Sequence, residues 1–300
     1  MLTVFGTVAL DTTHTPFKTE IRILGGAATF AAISSSLFTN TSIVAAVGSD
    51  FPAEYKTSLD NRGIDTRGIV SIQHGKTFHY DSSFDYDLSH RTTNKTELNV
   101  IEHYDPVIPD DYAKSEYVYL ANNDPKQNMK ILGLFQGPKL VVCDTIDFWI
   151  KGNRNDVKAM ISKADGVIIN DNEARLLCNN PNLSRCARAI LSWGPEFVVI
   201  KKGEHGSILF TGNGLIFPSA AFFLDEIVDP TGAGDSFAGG FLGHLARKGN
   251  VDFNIIKEAV VYGNVMGSFA VEDFGVRKLL AITRNDVEDR YERYRKLIQF

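Results

Sequence analysis

Short runs of β-branched and aliphatic residues recur along the whole chain. They are LTVFGTVA from Leu2, SIVAAVG from Ser42, YVYLA from Tyr117, LVVCD from Leu140, GVIIN from Gly166 and FVVIK from Phe197. Apolar runs of this length are the pattern of strands covered on both faces. Between them the spacing predicts helices over residues 27–38, which are rich in Ala and Ser, and over 52–61, where a proline suits the first turn. A third is predicted over 183–193, after an Asn-rich loop. Strands alternating with helices specify an α/β fold around a mostly parallel sheet. The chain shows no internal repeat and no Pro/Ser-rich linker, so residues 1–300 read as one domain.

Two stretches break the rhythm. KTFHYDSSFDY alternates apolar and polar residues, and TTHTPFKTEIRI near the N-terminus has the same character. Insertions at about 12–24 and 68–100 would build a small β lid over a site; the plainer reading is a surface hairpin. Composition narrows the classes of function. An apolar content of 44 % can bury enough surface to offset chain entropy, which excludes disorder. A formal charge of −5 without any basic block argues against a nucleic-acid partner. No apolar run approaches the ~20 residues of a membrane span, and the N-terminus lacks the basic region of a signal peptide. Cys143, Cys178 and Cys186 are odd in number and lack CxxC spacing, so they read as reduced packing thiols in a cytoplasmic protein.

The most chemical segment is DPTGAGDSFAGGFLGHLARKGN, residues 229–250. A Gly-rich turn, Thr231-Gly232-Ala233-Gly234, opens a helix predicted over 235–248. Such a turn leaves backbone N–H groups unpaired at the positive end of a helix dipole, an anion site for which phosphate is the common occupant. Asp235 would repel a phosphate unless it has another task. It could accept the proton of an attacking hydroxyl, or it could simply cap the helix. Neither GxxxxGK[ST] nor the Rossmann GxGxxG is present, so the segment belongs to neither of those phosphate-binding classes.

This segment closely resembles the C-terminal signature of the ribokinase-like (PfkB) carbohydrate kinases, and the resemblance covers nearly the whole chain. Gly25-Gly26 is similar to the family's di-glycine substrate motif, and Asp11, closing the first strand, to its hydroxyl-binding acid. Asn170-Asp171-Asn172-Glu173 matches NxxE, and Lys202-Gly203-Glu204-His205-Gly206 matches the nucleotide-side K-G-x-x-G turn. The resemblance implies a three-layer ribokinase-like fold with a mostly parallel central sheet and a β lid. It makes Asp235 the general base, with the amides of Gly232, Ala233 and Gly234 receiving charge on the transferred phosphoryl group. Asp11, Gly25, Gly26, Thr29 and Phe30 would bind acceptor. Lys202, Gly203, Gly206, Thr231, Asn264 and Gly275 would border ATP. Asn170 and Glu173 would hold Mg²⁺ through water, or else cap a helix. A monovalent cation such as K⁺ would draw on Asp229 and Glu272.

One departure concerns the acceptor. The family's GGxxxN is here Gly25-Gly26-Ala27-Ala28-Thr29-Phe30, so an aromatic ring stands where an amide would hold sugar hydroxyls. In the lid, Arg91, Asn94 and Lys95 could reach a negative group on the acceptor or could be solvated. The leading expectation is an ATP-dependent kinase of a sugar or sugar-like polyol. A nucleoside kinase and a non-catalytic sugar or nucleotide sensor are the alternatives. A homodimer through the exposed lid edge is a further expectation.

Overall fold

The computed structural model describes residues 1–298. From β1 (Leu2–Phe5) the chain enters β2 (Ala9–His14), β3 (Thr19–Gly25), α1 (Ala27–Ser36), β4 (Thr41–Gly48), α2 (Ala53–Asn61) and β5 (Asp65–Ile72). Next come β6 (His79–Phe84), β7 (Arg91–Glu97), β8 (Tyr117–Leu120), α3 (Pro125–Leu132), β9 (Leu140–Cys143) and α4 (Asp147–Ile161). Then follow β10 (Gly166–Asn170), α5 (Asp171–Cys178), α6 (Leu183–Leu191), β11 (Phe197–Lys201), β12 (Ser207–Thr211) and β13 (Ile216–Ser219). The chain closes with α7 (Ala233–Lys248), α8 (Phe253–Ala270), α9 (Arg277–Ala281) and α10 (Arg284–Ile298).

The body is a nine-stranded sheet in the order β13-β12-β11-β10-β9-β8-β1-β4-β5. Its pairings are parallel from β11 to β5, while β12 and β13 extend it antiparallel. Successive strand residues point to opposite faces. Leu2 and Val4 therefore join Phe30, Phe241 and Val265 on the side of α1, α7 and α8. Phe5 joins Ile131, Ile150 and Ile190 on the side of α3, α4 and α6. Three layers result, as the alternation of the sequence requires. Cys143 and Cys186 are free and buried. No helix among the described residues is long and apolar enough to cross a membrane.

The second sheet is the lid, four strands in the order β3-β2-β6-β7. β2 and β3 form one antiparallel hairpin, β6 and β7 another, and β2 joins them by pairing parallel with β6. Its limits differ from those read off the sequence. The run LTVFGTVA is not one strand: the chain turns out of the body at Gly6, so Asp11 lies within β2, at the root of the lid, and does not close β1. At the other insertion, β5 is parallel to β4 and belongs to the body, which leaves residues 79–97 to the lid.

Candidate active site

Parallel strands end together, and the C-terminal edge of such a sheet collects the residues that follow each strand. Asp144 follows β9, Asn170 and Lys201 end β10 and β11, and the turn that opens α7 lies above them. Gly232 caps α7 with φ 76°, a left-handed conformation that favours glycine. Space demands the same residue, since a Cβ there would lie 2.3 Å from Cε1 of Phe30. Helix α7 begins at Ala233, two residues earlier than the sequence suggests, so Asp235 stands in its first turn and is not the cap. The N–H of Ala233 donates back to the Pro230 carbonyl at 3.3 Å. Among the described residues, Gly232 and Gly234 keep amides without a backbone partner, and these two remain for an anion.

Beneath the turn lies a buried charge cluster. Lys201 Nζ donates to Asp144 Oδ2 at 2.9 Å and lies 3.5 Å from the Gly234 carbonyl oxygen. Tyr119 OH donates to the same Asp144 oxygen at 3.3 Å. Burial alone would depress the Lys201 ammonium, but the charges of Asp144, Glu173 and Asp235 outweigh it and hold its pKa above the ordinary value. Burial, reinforced by the negative charge of Asp144, pushes the Asp235 carboxyl up to about 6, with Lys201 and Arg91 opposing. A carboxylate of that basicity, ionised at neutral pH, suits proton abstraction from a hydroxyl.

Asp11 faces this cluster from the lid root. Its Oδ2 accepts the N–H of Gly26 at 3.1 Å, and a side chain on Gly25 would overlap it, with a Cβ 1.9 Å from Oδ2. Burial raises its pKa to about 7, against the Gly26 hydrogen bond, and Asp229 and Asp235 add to the rise. Thr231 Oγ1 lies 3.4 Å from Thr13 Oγ1, so lid strand and anion turn meet here. Asp11, Gly25, Gly26, Thr231 and Asp235 are thus brought together.

Other predicted residues have different surroundings. Phe30 is 1 % exposed and forms the floor under Gly232, so it supports the turn and does not line an open pocket; Thr29 is fully buried beside it. Asn170 and Glu173 make a reciprocal capping box: the Asn170 side chain accepts the Glu173 N–H at 2.8 Å and Glu173 accepts the Asn170 N–H at 3.0 Å. Burial, with Asp144 adding to it, raises the Glu173 pKa. Asn264 spends its amide on Ser219, to which it donates at 2.9 Å, and on Ser207, from which it accepts at 3.4 Å. Lys202, Gly203 and Gly206 form the β11–β12 turn, closed by the Lys202 N–H on the Gly206 carbonyl at 2.7 Å.

Asp229 is fully buried and accepts the N–H groups of Thr231 and Gly275 at 2.9 and 3.2 Å, which ties the anion turn to the segment after α8. Glu272 is engaged by Arg290 at 2.5 Å and Lys278 at 2.6 Å. In the lid, Asn94 is held by Asp81 and Ser83, and Lys95 pairs with Glu97. Arg91 acts on the cluster, lowering the pKa values of Asp11 and Asp235.

Sequence reasoning missed Asp144 and Lys201. Each is a charged residue at a strand end, which is common; only their shared sheet edge marks them. It also missed Asn122 and Asn123, after β8, which line a narrow cleft with Thr7, Phe78, Tyr80 and Trp149. The Phe78 carbonyl accepts the Leu10 N–H at 3.0 Å, which sets one wall of the cleft beside the strand that carries Asp11.

Comparison with known proteins identifies the family. Residues 3–282 match the family model described as pfkB family carbohydrate kinase. A cytidine kinase of Thermococcus kodakarensis is 31 % identical over 82 % of this chain and 88 % of its own length. A nucleoside kinase of Methanothermobacter thermautotrophicus is 29 % identical over 88 % of this chain and 84 % of its own. Among solved structures, a Methanocaldococcus jannaschii nucleoside kinase, described as an archaeal member of the ribokinase family, superposes with a TM-score of 0.79. It is 22 % identical and the match covers 97 % of this chain and 98 % of that one, a likeness that speaks to the fold. The chain belongs to the pfkB family of carbohydrate kinases, phosphotransferases that act on a hydroxyl acceptor.

Proposed function

We propose that the chain is a nucleoside kinase, transferring the γ-phosphoryl group of ATP to a ribose hydroxyl. The observation that carries this reading is the cleft beside Asp11. Its walls include Phe78, Tyr80, Phe148 and Trp149, flat apolar surfaces that a lone sugar or polyol would leave unfilled and that a heterocyclic base would cover. The names of the two archaeal relatives support it. A binding-only sensor would have no use for a half-buried carboxylate poised to take a proton.

In this reading Asp11 accepts hydrogen bonds from ribose hydroxyls, and the close backbone at Gly25 and Gly26 lets the sugar approach. The reacting hydroxyl gives its proton to Asp235 as its oxygen attacks the γ-phosphorus. The bond to the β–γ bridging oxygen breaks and ADP leaves. The Gly232 and Gly234 amides and Lys201 face the charge on the phosphoryl oxygens.

Kinases of this kind use ATP with a metal ion, and magnesium is the cation proposed. The donor set fits. Asp144, Glu173 and Asp235 crowd three carboxyl groups around the Lys201 ammonium, with Arg91 opposing from the lid, and a divalent cation would favour their ionised forms. Among the described residues no group of three or more His, Cys, Asp or Glu is placed to ligate a metal directly. Mg²⁺ would then rest on phosphate oxygens and on waters held by Asn170 and Glu173. It would neutralise charge on the phosphates.

ADP release measured with nucleosides, ribose, fructose and inositols tests the reading. Nucleosides should exceed every free sugar in kcat/KM. Turnover of a sugar or polyol with no nucleoside activity would return the acceptor to the carbohydrate class.

A further inference from the structure

Two side-chain oxygens of the aromatic cleft have no partner. Asn123 is 4 % exposed, and its Oδ1 is buried without a hydrogen bond; the neighbouring Asn122 Oδ1 is in the same state. The orientation of the Asn123 amide follows from its neighbours. The Ile101 carbonyl can only accept, so Gln127 must present Nε2 to it, which it does at 2.7 Å. That turns Gln127 Oε1 towards Asn123, whose Nδ2 donates to it at 3.1 Å. Oδ1 is left facing away from Gln127 and fixed as an acceptor. The loop that carries Asn123 is itself braced, because Asn128 Nδ2 donates to the Ala121 carbonyl at 3.3 Å.

A buried acceptor with fixed direction and no partner is costly to leave unmade. A donor supplied by a ligand would satisfy it. We propose that Asn123 determines base specificity: its Oδ1 accepts from the exocyclic amino group of the bound nucleobase, so amino-bearing bases are selected over keto analogues. This rests on the nucleoside-kinase reading. Cytosine and adenine share the amino group and are separated only by the experiment below. The cleft now offers about 30 Å³, room for little more than a water molecule, so the lid and the segment at 146–149 must part for a base to enter.

The test compares kcat/KM for cytidine, adenosine, uridine and inosine in the wild type and in two variants. The wild type should prefer cytidine or adenosine over the matching keto nucleoside by roughly 10- to 100-fold, the span of one lost buried hydrogen bond. Asn123→Ala should bring that ratio near one by lowering turnover of the amino nucleosides. Gln127→Leu should let the Asn123 amide turn its Nδ2 into the cleft and so raise uridine relative to cytidine, an effect that mere loss of packing would not produce. The KM for ATP should stay unchanged in both. Equal use of amino and keto nucleosides by the wild type would overturn the proposal while leaving the nucleoside-kinase reading in place. So would a ratio that both variants leave unaltered. If only sugars are phosphorylated, the functional reading fails first and this proposal with it.

Discussion

Strands β1, β4 and β8 of the body bury every residue they contain, whereas the first five residues of β7 in the lid are all exposed. The body gains its strength from apolar area, about 1.5–3 kcal/mol for each large side chain fully removed from water. The lid is rooted by a few buried side chains, Ala9, Leu24 and Phe78, and by polar contacts. Asp50, just after β4, holds both lid hairpins: Arg22 Nη2 donates to it at 2.6 Å, and the N–H and Oγ1 of Thr77 donate to it at 2.7 and 2.8 Å. Glu20 of β3 pairs with Arg277 of α9 at 2.8 Å. Exposed ion pairs contribute roughly 0–1 kcal/mol. The site is split along this line. Asp144, Lys201, Glu173 and Asp235 are fixed to the rigid body, and Asp11 and the outer wall of the cleft belong to the part that can open.

The widest separation between the two regions should appear in Asp235→Asn. Turnover should fall ~10²–10⁴-fold, the contribution of general base catalysis, with nucleotide affinity retained by titration calorimetry. Turnover within a few-fold of wild type would leave the body with no catalytic base at this position. Asp11→Ala should act on the other side. Loss of charge-assisted hydrogen bonds of roughly 1.5–3 kcal/mol each should raise acceptor KM by one to two orders of magnitude, and the KM for ATP should not move. A matching rise in both would show that the two regions bind as one.

Acidification should reproduce both defects in part. The base and the hydroxyl acceptor act as carboxylates, with pKa values of about 6 for Asp235 and about 7 for Asp11 in the free enzyme. The kcat/KM for the acceptor should therefore fall as pH drops below 7 and fall more steeply below 6, read from a pH–rate profile. A flat profile down to pH 5 would count against both assignments.

The smallest effect is expected at the lid root. Arg277 and Lys18 hold the Glu20 carboxyl down to about 2 through hydrogen bonds, but the pair is exposed. Arg277→Ala should lower stability by less than about 1 kcal/mol in urea unfolding. Because the native pKa of Glu20 is depressed, its contribution is present above the ordinary carboxylate range and is lost as pH falls towards 2. A loss of several kcal/mol would mean that lid and body unfold as one welded unit.

The layering of the body was legible because every buried strand left an apolar run in the sequence. The glycine turn that opens α7 was legible too, since glycines packed into so short a stretch mark a tight backbone bend. The lid boundary was not. Nothing in LTVFGTVA distinguishes a strand from a strand that breaks at Gly6, and tertiary pairing with β6 decided it. Phe30 was misread for a related reason: an aromatic at the position of a family amide looks like a change of ligand until the space above it is known. Lys201 and Asp144 lie far apart in sequence, and only the parallel register of the sheet brings them together. Asn122 and Asn123 drew no reading from the sequence, because an unsatisfied acceptor leaves no mark in composition.

Phe30, from the first helix, props Gly232, from near the end of the chain, and that has a consequence for synthesis. The ribosome releases α1 long before its partner α7 exists, so the apolar side of α1 must wait for α7 and α8 to arrive. Contacts between distant parts of a chain form slowly, and exposed apolar helices awaiting them are prone to stick to one another. The glycine turn that opens α7 is therefore among the last features to acquire its shape. A chain truncated before residue 233 would keep the Phe30 floor but lack α7, the helix that gives the turn above it its shape, however well the lid and the first strands had formed.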